Sequence, residues 1–289
     1  MTKFNSDMLP QGIPLLRDYL SLLKTGLFLE IESFSNSFVK YHCCKHDPFH
    51  QWSRRWEYPF AYSHIRRYIA SNDRFMQSKD TVKILDAGSG FTFFPYYISH
   101  KHANCNVYCC DYDYSLINLF DSANKKSKQY IDFKVYDLTN LGYNDNSFDI
   151  TYCISVLEHA SNHAKIFEQF KRVLKPNGLL IVSFDISLED KDKNAKETQN
   201  VLDQLNDKFE ATDANLKTLN IASESEILTT RFAKDFDKNS LPWASTWSSI
   251  LGNLVKLKVP RRPFSLLTMF CGVWRNTKHS YPRKLIQLL

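Results

Sequence analysis

Glycine is scarce in this chain, eight in 289 residues, yet two of the eight sit one residue apart, at 88 and 90. They fall in KILDAGSGFTFF, residues 83 to 94, after an apolar run and an acid. What is missing is a third glycine at 93, where Phe93 stands. A dinucleotide-binding loop needs that glycine to bring helix and strand together, and it has no use for an acid beside a pyrophosphate. Phe93 and Asp86 therefore speak against a nicotinamide dehydrogenase. No apolar segment is long enough to cross a bilayer, and MTKFNSDMLPQGIPLL lacks the basic-then-apolar layout of a signal peptide. There is no internal repeat and no Gly/Ser/Pro-rich linker.

Acid is missing from one end. From Ser240 onward there is no Asp or Glu, against eight Lys or Arg: Lys256, Lys258, Arg261, Arg262, Arg275, Lys278, Arg283 and Lys284. Removing those eight from the net +6 leaves −2 for the rest. The stretch reads as a solvated basic face or as a surface for an anionic substrate, nucleic acid or lipid headgroups. Trp243, Trp247 and Trp274 lie among these charges, as a sugar or base platform or as core. The seven cysteines are odd in number and follow no secretory leader, so they read as reduced thiols of a cytoplasmic protein. Cys109, Cys110 and Cys153 lie in apolar runs and read as small core residues. His42, Cys43, Cys44, His46 and His50 are zinc-binding types, but their spacing fits no standard site, and no metal is expected.

What is present is ample for a core: 43% hydrophobic and 14% aromatic residues. Residues 1–78 read as a helical N-terminal extension or cap. PLLRDYLSLLKTGLFLEIESF has helical spacing, and a second helix is expected around YPFAYSHIRRYIA with Pro59 near its start. Residues 79–187 then alternate apolar strands with helices. TVKILDAG, CNVYCCDYD, YIDFKVYDL, SFDITYCISVLEH and GLLIVSFDI are strands, with helices over 114–127 and 163–174 and a break at LKPNG. Residues 188–289 complete the sheet and the substrate region, with a helix in ETQNVLDQLNDKF and a late strand in PFSLLTMFCGVW. The fold class is α/β: a Rossmann-like, doubly wound, mostly parallel sheet with a helical N-terminal extension and C-terminal additions. Ligands of such sheets bind outside the carboxyl ends of the strands.

Acids stand at those ends. A carboxylate at Asp86 would repel phosphates and attract an ammonium or a sulfonium. Gly88 and Gly90 allow a tight turn and close backbone approach. Asp111 ends the second strand at the distance from the loop where an acid accepts from ribose hydroxyls. Asp137, with Leu138 after it, suits an adenine amino group and its ring face.

Taken together, ILDAGSG, CDYD, VYDL, SFDITYCISVLEH and RVLKPNGLLIVS resemble the class I S-adenosylmethionine-dependent methyltransferases, in their methyltransferase-11-like branch, over about residues 80 to 185. The resemblance implies that Asp86, Gly88 and Gly90 hold the methionine end of the cofactor. Asp111, with Tyr112 beside it, would bind the ribose, Asp137 and Leu138 would frame the adenine, and Ile154 and Ser155 would face the methionine amino group and the methyl. RRWEYPFAYSHI resembles a WEYP signature of a subset associated with glycan and surface-polysaccharide pathways, with LTTRF at 228–232 and LPW at 241–243 in the same pattern. It points to Trp56, Tyr58 and Trp243 as substrate residues.

The expected activity is methyl transfer from S-adenosyl-L-methionine, most readily to oxygen of a sugar, glycan or small metabolite. The alternatives are an RNA or other nitrogen methyltransferase and a non-catalytic protein that keeps the fold. His159, just after the fourth strand, is the candidate base for a hydroxyl acceptor, with Glu158 beside it. The expected partner is a small-molecule or glycan acceptor, possibly an anionic one. Nucleic acid is disfavoured by the lack of a separate RNA-binding module and of an NPPY-like motif. Peripheral membrane contact through the basic C-terminal part is the remaining option.

Overall fold

The computed structural model of the protein describes residues 8–42, 48–72, 80–237, 241 and 265–277. Its centre is a seven-stranded sheet in the order β3-β2-β1-β4-β5-β7-β6. The strands are β1 (Val82–Ala87), β2 (Cys105–Asp111), β3 (Asp132–Val135), β4 (Phe148–Ile154), β5 (Leu174–Ser187), β6 (Glu210–Ala211) and β7 (Leu267–Arg275). β1 to β5 pair in parallel, and β7 runs antiparallel between β5 and β6. The strand order reverses at β1 and β4, where a doubly wound sheet opens its ligand crevice.

Both faces of the sheet are covered, so its central strands are apolar on both sides. All seven β4 residues, Phe148–Ile154, are buried. Neighbouring residues serve opposite layers: Cys109 packs in one hydrophobic cluster and Cys110 in the other. Burial raises both thiols, which keeps them protonated core residues. One layer holds α1 (Leu16–Leu22), α2 (Gly26–His42), α3 (Arg54–Ala70), α4 (Phe94–Lys101), α5 (Ile117–Lys126) and α8 (Thr230–Phe236). The other holds α6 (His163–Val173) and α7 (Lys191–Lys208). Among the described residues no helix is long and apolar enough to cross a membrane.

Helix α3 departs from the expectation. It begins at Arg54, five residues before Pro59, so the proline lies inside the helix and not at its start. Its ring removes the N–H that would have bonded the carbonyl four residues back. Every residue from Trp56 to Ile65 is buried, because α3 is covered on all sides. The helix over 163–173 does stop at LKPNG, and β5 begins there without an intervening loop, at Leu174. The pairing with β4 shifts register between Phe148 and Ile150, and Asn177 takes φ 64. The extra residues are absorbed as a bulge. Trp274 is fully buried and donates from Nε1 to Asn206 at 2.9 Å, so it is core and not a platform.

Residues 8–15 tie the N-terminal layer to the far side of the chain. Gly12 pairs with Cys271 of β7, and Leu15 bridges to Ile227.

Candidate active site

At the carboxyl ends of β1, β2 and β4 lies a cavity of about 680 Å³. That size is within the range that holds a drug-sized ligand. Its walls include Asp86, Gly88, Gly90, Asp111, Tyr112, Asp137, Leu138, Ile154, Ser155 and His159, with Tyr58 on the side of the N-terminal helices. The expected cofactor residues thus share one space.

The loop after β1 is fixed by backbone bonds to β2: Gly88 and Ser89 both donate to the Cys110 carbonyl, at 2.8 and 3.0 Å. Gly88 has φ +78, and a Cβ there would lie 2.7 Å from Val156 Cγ2. Gly90 has φ +51 with open space where its Cβ would be, a cradle left free for a ligand. The N–H of Gly90 donates to Asp111 Oδ2 at 2.9 Å, so Asp111 also anchors the loop. Phe93, in the missing glycine's place, is buried against Phe34, Phe49 and Tyr58, edge-on to the last two. It fills the gap between the loop and the N-terminal helices, which is why no third glycine is needed.

Asp86 is 5% exposed and accepts from the Tyr152 hydroxyl at 2.9 Å. Burial pushes its carboxyl up to about 8; the Tyr152 bond works against this, and Asp111 adds to it. A buried acid held this way is a natural partner for an ammonium group. Asp137 accepts from Thr139 N at 2.7 Å and is held below the usual carboxylate range by that bond.

His159 closes the 3₁₀ turn Leu157–His159, is exposed, and lies at the cavity wall with Ser161 and Asn162. Glu158 turns the other way. Burial pushes it up to about 7, with Glu57 adding to the rise, and Oε2 has no hydrogen-bond partner among the described residues. Asp185 is likewise raised, by burial and then by Glu57 and Glu158.

The WEYP helix contributes differently from expectation. Tyr58 reaches the cavity, stacked on Phe94 with centroids 4.5 Å apart. Trp56 does not reach it and is fully buried in the core. Two residues apart on a helix are about 200° apart around its axis, so Trp56 and Tyr58 cannot share a face. LTTRF starts α8, with Thr229 capping Phe232 N at 3.3 Å, and does not line the cavity. Trp243 and Trp247 lie outside the described residues, as do Cys43, Cys44, His46 and all of the basic C-terminal residues except Arg275.

The residues that sequence reasoning passed over are Arg54 and Glu57. Glu57 is 1% exposed. Its Oε1 accepts from Ser155 Oγ at 2.8 Å and from Ser183 Oγ at 2.7 Å, while Oε2 pairs with Arg54. Arg54 Nη1 also donates to Ser155 Oγ, and Arg54 lines the cavity. Burial works against the Arg54 charge, but Glu57, Tyr58 and Asp185 together outweigh it and the guanidinium stays protonated. A glutamate inside WEYPFAYSHI, among residues with almost no charge, was the available signal. A buried carboxylate needs a cation, and Arg54 stands one helical turn before it.

A glycine loop between strand-end acids, in this strand order and with an antiparallel β7, defines a Rossmann-like class I methyltransferase fold. The comparisons with known proteins agree. Residues 85–182 match the family described as Methyltransferase domain. Over 110 residues the chain is 33% identical to demethylmenaquinone methyltransferase of Paenarthrobacter aurescens (strain TC1), covering 37% of this chain and 40% of that one. Over 111 residues it is 30% identical to phosphoethanolamine N-methyltransferase 1 of Arabidopsis thaliana, covering 37% and 22%. The chain thus spans less than half the length of these relatives. Among solved structures, the [4+2]-cyclase SpnF shares the fold, with a TM-score of 0.50 at 16% identity over 93% of this chain and 99% of that one. The match over residues 85–182 falls on the strands and loops that line the cavity, and it supports S-adenosylmethionine as the cofactor.

Proposed function

We propose that the protein transfers a methyl group from S-adenosylmethionine to an oxygen of a sugar, glycan or other small polar acceptor. The observation that carries this reading is the convergence of Asp86, Asp111 and Asp137 with the open Gly90 on one cavity. The residues fit the cofactor: a buried acid for its ammonium, an acid at the end of β2 for the ribose, and Asp137 with Leu138 for the adenine. When bound, the cofactor supplies a methyl group already activated on a cationic sulfur, so the protein's work is orientation and exclusion of water. His159 would take the proton from an acceptor hydroxyl at an imidazole nitrogen. Gln51, Thr92, Ser161 and Asn162 give the cavity neutral polar groups suited to a hydroxyl-rich ligand. α3 forms one wall, and its WEYP stretch resembles enzymes of glycan pathways, which supports a sugar acceptor.

A nitrogen acceptor is the second reading, favoured by the similarity to a phosphoethanolamine N-methyltransferase. The test is transfer of labelled methyl from S-adenosylmethionine to sugars, lipid-linked glycans, small amines and RNA. Label on a hydroxyl-bearing acceptor supports the proposal, and label on amines or RNA alone replaces it with the second reading. Tight cofactor binding without transfer to any of them favours a different reaction on the same fold.

A further inference from the structure

The corner after β4 is bent in a way its residue does not favour. Ser155 has φ 49, in the left-handed region where a side chain is disfavoured and glycine is at ease. Such a conformation persists where its surroundings over-determine it. Here the surroundings are explicit. Ser155 N donates to the Ser183 carbonyl at 2.9 Å. Its Oγ donates to Glu57 at 2.8 Å and accepts from Arg54. Ser183 Oγ holds the same Glu57 oxygen at 2.7 Å. Two side chains of α3 thus hold the corner after β4, and one of them, Glu57, also ties it to Ser183 of the adjacent β5.

The corner matters because of what flanks it. Ile154, Ser155 and Val156 all line the cavity. Val156 also sits against the glycine loop, where a Cβ on Gly88 would meet it at 2.7 Å. A shift of the corner therefore moves one wall of the cavity and its contact with the loop. A buried ion pair is a poor source of stability, since desolvation offsets most of its attraction. A role in holding geometry gives a reason to keep one here.

We infer that Arg54 and Glu57 are positioning residues, which clamp Ser155 in its left-handed conformation and so shape the part of the cavity that receives the amino-acid end of the cofactor. The inference rests on the proposed cofactor site. It also gives the WEYP glutamate a role within the methyltransferase core, apart from any contact with the acceptor.

The test uses calorimetry on the full chain with two probes. S-adenosylhomocysteine carries the amino-acid moiety, and 5′-methylthioadenosine lacks it. Glu57→Gln puts an amide donor against Arg54 and loosens the clamp. It is expected to weaken S-adenosylhomocysteine about tenfold while leaving 5′-methylthioadenosine within about twofold. Ser155→Gly is measured first and sets the reference affinity, because glycine adopts this φ without the clamp. In the E57Q/S155G double variant, affinity for S-adenosylhomocysteine should recover to within about threefold of S155G, a coupling that general destabilisation does not produce. Should E57Q fail to fold, Arg54→Lys keeps a cation beside Glu57 but loses the guanidinium fork, and the same selective loss is expected. Equal weakening of both probes, no weakening of either, or no recovery in the double variant overturns the inference. A wild-type protein that binds neither probe overturns the cofactor site itself, and this inference with it.

Discussion

The Tyr152 hydroxyl donates to Asp86 Oδ2 at 2.9 Å, joining the middle of β4 to the end of β1 beneath the glycine loop. Among the described residues, that bond and the charge of Arg54 are what oppose the rise that burial imposes on Asp86.

A proton should therefore leave when the cofactor binds. With its pKa raised to about 8, Asp86 is mostly protonated at pH 7, and an ammonium group beside it favours the ionised form. Affinity for S-adenosylhomocysteine is expected to rise from pH 6 to pH 8. Calorimetry at pH 7 in two buffers of different ionisation enthalpy should detect proton release. The ligand-free protein is expected to follow the opposite trend: a raised carboxyl stabilises the fold below its ordinary pKa, and that contribution is lost as pH rises through about 8. Tyr152→Phe should push the affinity curve to higher pH. An affinity flat over this range would remove Asp86 from the ammonium site.

The two loop glycines should differ. Gly88→Ala meets both a positive φ and Val156 at 2.7 Å, whereas Gly90→Ala meets the φ alone, with open space around its Cβ. G88A is expected to lower thermal stability by several degrees, and G90A by less. G90A should act mainly on cofactor affinity, because its methyl group enters the cavity. Thermal denaturation with and without S-adenosylhomocysteine separates the two effects.

His159→Ala should leave cofactor affinity near wild type, since His159 sits exposed at the wall. For a hydroxyl acceptor, turnover should fall about 10²- to 10⁴-fold, the usual contribution of a positioned base. Turnover that survives would remove His159 as the base.

Trp56→Ala should cost about 3–5 kcal/mol of stability, as for other fully buried aromatic side chains. Trp56→Phe should cost less. Neither should change the acceptor KM of the folded enzyme, whereas Tyr58→Ala should change it. Denaturant titration beside steady-state kinetics decides between a core and a substrate role.

The strand ends were legible because their chemistry is local. Asp86 and Asp111 each follow an apolar run, and the run marks the strand whose end they occupy; Asp137 lies just beyond β3, which ends at Val135. The helix α3 was legible in existence but not in extent. Burial on every side erases the periodicity that marks a boundary, so its true start at Arg54 passed for loop. Trp56 was misplaced for the same reason, since WEYP shows which residue types are present but not which face each takes. Glu57 was out of reach for a different cause. Its partners Ser155 and Ser183 lie 98 and 126 residues away, and only the fold brings them together. Trp274, among basic neighbours, reads equally as a platform or as core, and β6 and α7 show that it is covered.

The β7 strand has a consequence for how the chain is made. It fills the place between β5 and β6, and its Cys271 pairs with Gly12, more than 250 residues earlier. During synthesis, the segment around Gly12 leaves the ribosome long before residues 267–275 exist. It must wait without its partner until nearly the whole described chain has emerged. Contacts this distant along the sequence slow folding. The parallel half, β1 to β5, needs nothing from β7 for its own pairing, so it can assemble first. The N-terminal strap would then be fastened last, by the strand that completes the sheet.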